Sequence, residues 1–241
     1  MPLPQSAELF FGLRLTEEQL IYANSAYDNL FTGCHAVSGS GKTTVATGVA
    51  KLLGKELHYI FPTVEEGALG YSTGDIKAKE SKYLHPLLDA LIEIGENPMR
   101  AIFAPENKDK QEEILDIKID KQKKKNKYKV KNPKYEIKEG DPWVHAYSHN
   151  YMRGGNIKDA FVIIDEAQNL TKKELRKILT RIHDSCHVVL IGDPNQCDID
   201  PKKSGFIPYL MHYNGQSFAQ ICTLSKNFRG KISAHAETLP A

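Results

Sequence analysis

Apolar runs recur along the chain and end in polar or turn-forming clusters. Gly33–Val37, Leu57–Phe61, Ala160–Ile164 and His187–Ile191 read as strands, with Trp143–Tyr147 and Phe218–Leu224 as further strand candidates. The unbroken run Ala160-Phe161-Val162-Ile163-Ile164 suits a central strand buried on both faces. Between the runs, the spacing becomes helical. Leu20, Ala23, Ala26, Tyr27 and Leu30 share one face, as do Leu84, Leu87, Leu88 and Leu91 within Tyr83–Ile94. Further helices are expected over Lys42–Leu53, from Thr171 to Ile182, and from about Ile232. Lys202–Phe206 reads as a loop, and residues 1–14 as a loosely attached lead-in. This alternation predicts an α/β fold, a mostly parallel sheet sandwiched by helices, in one domain over 15–241.

The bulk numbers narrow this picture little. The chain has 241 residues, 41% hydrophobic, and a formal net charge of +2. Four scattered cysteines, Cys34, Cys186, Cys197 and Cys222, form neither a C-x-x-C pair nor a disulfide framework. With no signal segment and no run of membrane-spanning length, a soluble, cytoplasmic protein with no membrane partner is expected. Charge distribution is more telling. The polar stretch 96–142 reads as a basic insertion: ten lysines lie between Lys118 and Lys138 against Asp120 and Glu136. One reading is a solvated insertion. The other is an arm that follows a phosphate backbone while tyrosines stack on bases, with Lys123, Lys124, Lys125, Lys127, Tyr128 and Lys129 as contacts. Arg153, beside two glycines, is a weaker candidate of the same kind.

Chemistry concentrates where the strands end. Ser38-Gly39-Ser40-Gly41-Lys42-Thr43-Thr44 follows the first strand and opens a helix. Glycines let backbone N–H groups turn onto phosphate oxygens, Lys42 can reach the β- and γ-phosphates, and Thr43 can offer its hydroxyl to Mg²⁺. Ala36 stands where the strict pattern has its first glycine, which matters only if that position needs a positive φ. After the run Ala160–Ile164 come Asp165 and Glu166, adjacent carboxylates that burial would penalise without a partner. Asp165 is the expected Mg²⁺ holder with Thr43, and Glu166 the group that activates a water for in-line attack. Gln196, supported by Asp193, is placed to sense the γ-phosphate. Arg229 is the candidate that stabilises developing charge. Gln19 has two readings, a capping box with Thr16 or an adenine contact, the second strengthened by the loop nearby. His145 and His149, like His183 and His187, are four apart without an acidic third ligand in pattern, so metal binding is not expected of either pair.

These stretches together resemble the PhoH family of P-loop ATPases, relatives of superfamily 1 helicases. The resemblance runs from about Leu15 to Leu239. It rests on Gln19, Ser38–Thr43, Pro62–Gly67, Tyr151–Gly154, Asp159–Asn169 and Gly192–Gln196. Leu224–Gly230 is similar to the helicase motif that carries a γ-phosphate-contacting arginine. The compact chain resembles the short PhoH proteins of bacteriophages; a phage-encoded chain is expected in the host-cell cytoplasm. The resemblance implies a RecA-like core, Mg²⁺-dependent ATP hydrolysis, action on single-stranded RNA or DNA with RNA foremost, and a hexameric ring. A single core leaves the nucleotide open on one side, so Arg229 has two places from which to complete the site, within its own chain or across a subunit boundary, and the sequence leaves both open. The rival functions are a thymidine-kinase-type nucleoside kinase, which also joins a P-loop to an Asp-Glu pair, and an RNA-binding module with a structural nucleotide. Phe61, where an arginine often precedes the Pro62 turn, and the lysine-rich insertion depart from the family pattern.

Overall fold

In the computed structural model the described residues are 10–63, 76–103, 141–152 and 155–236. The expected strands all form: β1 (Phe31–Ala36), β2 (Leu57–Phe61), β3 (Val144–Ser148), β4 (Phe161–Ile164), β5 (His187–Gly192) and β6 (Ala219–Leu224). They make one six-stranded sheet in the order β3-β2-β4-β5-β1-β6, and every pairing is parallel. The α/β class with a parallel sheet between helices is therefore borne out.

Alternation along each strand divides its side chains between two cores. Phe161 and Ile163 join Tyr59, Val189 and Ile191 beneath α1 (Glu17–Asp28), α2 (Lys42–Leu52) and α3 (Ile76–Glu93). Their neighbours Val162 and Ile164 join Ile60 and Leu190 on the other face. That face is covered by α5 (Lys172–Leu179) and α6 (Phe206–Tyr213). The short α4 (Pro98–Ala101) precedes β3, and α7 (Lys231–Ala236) ends the described chain.

Three differences from the sequence reading have physical causes. Phe10, placed in the loose lead-in, is 1% exposed and packs against Gly48 of α2. The short run Leu9-Phe10-Phe11, broken by Gly12, carries no periodicity that would reveal this. The segment after the Lys202–Phe206 loop is α6, whose Phe206 and Leu210 lie four apart and buried. Pro208 falls in its first turn, where a missing N–H costs nothing. Helix α3 begins at Ile76, before the apolar face that starts at Leu84. Capping boxes open two of the helices: Thr16 with Gln19, one of the two readings of Gln19, and Thr171 with Glu174.

Candidate active site

A loop, two carboxylates and an arginine meet at the carboxyl ends of β1, β4, β5 and β6. Ala36 ends β1 fully buried, and its φ is not positive, so the missing glycine is not needed. The positive φ values fall instead at Gly39 (+65°) and Gly41 (+78°). Glycine has a second reason to be there. A Cβ at Gly39 would lie 2.6 Å from Arg229 Cγ, and one at Gly41 would lie 2.9 Å from Gln19 Nε2. Gly41 caps α2, whose first turn carries Lys42, Thr43 and Thr44. Ser38, Ser40 and Thr43 are buried, and the Ser40 hydroxyl has no hydrogen-bond partner. A buried polar atom left unmatched inside a loop of this shape is what a phosphate oxygen would satisfy.

Asp165 is fully buried just beyond β4. Its Oδ2 accepts hydrogen bonds from the Thr43 hydroxyl (2.8 Å) and the Tyr59 hydroxyl (2.8 Å), and its Oδ1 accepts from the Glu166 backbone N–H (2.9 Å). These donors take the place of the water that burial removed. Burial and the Asp165 charge push the Tyr59 phenol well up, so it remains a donor. Glu166 has a left-handed backbone (φ 50°, ψ 37°) and starts the 3₁₀ turn Ala167–Asn169. Its Oε1 lies 4.0 Å from Lys42 Nζ, and its Oε2 accepts from Gln168 Nε2 at 2.6 Å. Burial first, then the Asp165 charge, raise the Glu166 carboxyl above its ordinary value, while Lys42 and Gln168 oppose the rise.

Sequence reasoning gives Gln168 no role, yet it ties the strand ends together. Besides Glu166, its Nε2 donates to the Gln196 carbonyl (3.1 Å), and its Oε1 accepts from the Asp193 N–H (3.1 Å). Asp193 is buried and turns the chain by accepting from the Asn195 N–H. Gln196 follows on an exposed 3₁₀ turn, joined to Glu166 through Gln168. Tyr59 is also missed by sequence. It reads as a core aromatic inside β2, and only the partner of its hydroxyl distinguishes it.

The two readings of Gln19 are compatible. Oε1 accepts from the Thr16 N–H (3.0 Å) in the capping box, and Nε2 donates to the Ser40 carbonyl (2.9 Å). One amide hydrogen and one lone pair are left over. The arginine belongs to the same chain as the loop it touches. Arg229 Nη1 donates to Ser38 Oγ at 2.6 Å, and the Phe228 N–H donates to the Gly39 carbonyl at 2.9 Å. Asn227 Oδ1 accepts from the Arg229 N–H, and Glu18 of α1 holds both the N–H and the hydroxyl of Ser225. Arg229 therefore reaches the loop without a second subunit. Arg153, Lys123, Lys124, Lys125, Lys127, Tyr128 and Lys129 lie outside the described residues.

A family model described as PhoH-like protein matches residues 14–238. The chain belongs to the PhoH-like family. The matched span agrees with the resemblance read from the motifs, and the parallel α/β sheet agrees with the fold that resemblance implies. A PhoH-like protein of Synechocystis sp. is 32% identical over 196 residues, covering 78% of this chain and 48% of that protein. Protein PhoH of Escherichia coli (strain K12) is 27% identical over 200 residues, covering 80% and 44%. The chain spans about half the length of these curated relatives. Among solved structures, the Pyrococcus furiosus Hef helicase domain aligns with a TM-score of 0.47 at 10% identity, covering 87% of this chain and 38% of that one. No helix among the described residues is long and apolar enough to cross a membrane.

Proposed function

We propose that this PhoH-like chain hydrolyses ATP in a Mg²⁺-dependent reaction and couples it to single-stranded nucleic acid, RNA foremost. The observation that carries the proposal is the buried Asp165, bonded to the Thr43 hydroxyl, with Glu166 beside Lys42. Thr43 and Asp165 offer hard oxygen donors of the kind Mg²⁺ takes, and these two residues would hold it. When bound, the ion neutralises charge between phosphates. The loop amides and Lys42 bind the phosphates of ATP. Gln19 reads adenine with its remaining hydrogen and lone pair. Glu166, held near Lys42 by Gln168, orients the attacking water and takes its proton. Gln196 registers the γ-phosphate and reports it to Glu166 through Gln168. Arg229, bonded to Ser38 of its own loop, stabilises developing charge from within the chain, the first of the two placements the sequence leaves open.

Nucleic acid belongs to the proposal through the lysine-rich stretch 118–138 and Arg153. A hexameric ring belongs to it as the assembly, and sedimentation velocity of the full chain checks it. The test of the chemistry is phosphate release from ATP, with and without single-stranded RNA or DNA. Lys42→Ala is expected to abolish release. Retained turnover would overturn the site assignment, and transfer of phosphate to a nucleoside would make the chain a kinase. Binding across a salt series then tests the partner, because neutralising several phosphates steepens salt dependence. Removing residues 118–138 is expected to flatten that dependence.

A further inference from the structure

Far from the nucleotide loop, the starts of β2 and β3 carry two imidazoles and a carboxylate that the proposed reaction does not use. Glu56 directly precedes β2, and His58 is the second residue of that strand, so both project to one face. The parallel register sets His58 beside His145 of β3. Sequence spacing pairs His145 with His149; the sheet pairs it with His58. The ligand atoms of Glu56, His58 and His145 all lie within 4.8 Å of one another. His145 Nε2 is 3.4 Å from Glu56 Oε2, and the two rings are nearly parallel with centroids 4.8 Å apart.

A histidine–glutamate ion pair accounts for His145 and Glu56. It does not account for His58, which brings a second imidazole against the first with no second acid among the described residues. We propose that Glu56, His58 and His145 form a binding site for Zn²⁺ or a similar borderline divalent ion, separate from the Mg²⁺ position. Three features fit. Two imidazoles and a carboxylate are a donor set that suits Zn²⁺ and disfavours Mg²⁺. Zinc bonds of about 2.0–2.1 Å in tetrahedral geometry put ligand atoms roughly 3.4 Å apart, the spacing already present between His145 and Glu56. The third feature is outer support. His58 Nδ1 lies 2.9 Å from the Tyr147 hydroxyl, which leaves Nε2 to the ion, and Phe103 stacks on His145 at 4.2 Å. Glu56 and His145 are about a third exposed, which gives an ion an entry path and a water as fourth ligand. Bound there, the ion joins edge strand β3 to β2.

The experiment uses the full-length, untagged chain after chelator treatment and dialysis. Zn²⁺ is titrated calorimetrically, and Co²⁺ is titrated by its visible absorption, which reports coordination geometry. Wild type is expected to bind one equivalent with a four-coordinate Co²⁺ spectrum, unchanged by excess Mg²⁺ and retained in Asp165→Asn. His145→Gln and Glu56→Gln should each lose at least tenfold in affinity. Tyr147→Phe, which keeps all three ligands, should lose about tenfold through His58 orientation. Circular dichroism of each variant separates lost binding from lost folding. The proposal is overturned if wild type takes up no Zn²⁺, or if the folded His58→Gln/His145→Gln double variant binds it as wild type does.

Discussion

Tyr59→Phe removes one atom from the centre of the candidate site and leaves the rest of the ring in the core. In the native chain the hydroxyl donates at 2.8 Å to Asp165 Oδ2, and both residues are fully buried. A hydrogen bond to a charged group contributes about 1.5–3 kcal/mol. The deleted hydroxyl no longer has to be desolvated, which places the expected loss in the middle of that range, at about 2 kcal/mol. Oδ2 keeps the Thr43 hydroxyl and Oδ1 keeps the Glu166 N–H, so the carboxylate is weakened but not abandoned. For a chain of this size about 2 kcal/mol corresponds to a fall of roughly 4–8 °C in Tm. Urea unfolding of the nucleotide-free protein should show a lower midpoint at unchanged slope. A double-mutant cycle with Asp165→Asn isolates the pair and should return a coupling of at least about 1 kcal/mol. A loss under about 0.5 kcal/mol, or a coupling indistinguishable from zero, would refute the claim that Tyr59 holds the Asp165 charge.

Neighbouring residues carry further expectations. The Glu166 carboxyl is raised in the folded state, so its contribution to stability is full below its unfolded value of about 4.5 and is lost as pH rises through the raised folded value. Glu166→Gln should therefore abolish hydrolysis while stabilising the nucleotide-free protein increasingly from acid to neutral pH; parallel urea midpoints across that range would contradict this. If Arg229 acts within its own chain, mixing Arg229→Ala with Glu166→Gln subunits restores no ATPase activity, and any rescue would return the arginine to a neighbour's site. Phe10→Ala empties a fully packed position and should cost about 3–5 kcal/mol in urea unfolding; a cost below about 1 kcal/mol would return Phe10 to a loose lead-in.

The parts of the molecule legible in sequence are those whose signal is local. Strands β4 and β5 announce themselves because Phe161–Ile164 and Val188–Ile191, buried on both faces, have no polar position to interrupt the run. The loop, Asp165 and Glu166 are legible because glycine, lysine, threonine and paired acids at strand ends seldom coincide unless they serve a phosphate. Residues whose role depends on a distant partner are not legible. Tyr59 looks like any core aromatic until Asp165 is found 106 positions away. Gln168 sits in the Asp159–Asn169 run, but its bonds to Asp193 and Gln196 exist only once β4 and β5 are neighbours. His58 and His145 are joined only by the β2–β3 register. Arg229 reads as a phosphoryl contact from sequence, but its approach to the loop of its own chain is visible only in the Ser225–Glu18 and Phe228–Gly39 bonds.

Adjacent carboxylates are expected to repel and to share one environment; here the backbone separates them. Extended chain would have sent Asp165 and Glu166 to opposite faces of β4, leaving Glu166 away from Lys42. The left-handed φ of Glu166 instead turns the chain at the strand end, at a cost of about 1–2 kcal/mol for a residue with a Cβ. Glycine would relieve that strain but could not present a carboxylate. The bonds that hold the turn come from this site: Asp165 Oδ1 accepts the Glu166 N–H, and Gln168 accepts the Asp193 N–H while donating to Glu166. Two acids, one residue apart, thus acquire different surroundings. Asp165 is fixed by three donors and keeps acceptor capacity on Oδ1, which suits holding a cation. Glu166 is raised, held by one amide and close to one lysine, suited to taking a proton. Environments that differ this way fit the roles given to the two acids in the proposed reaction, with the strained residue as the proton acceptor.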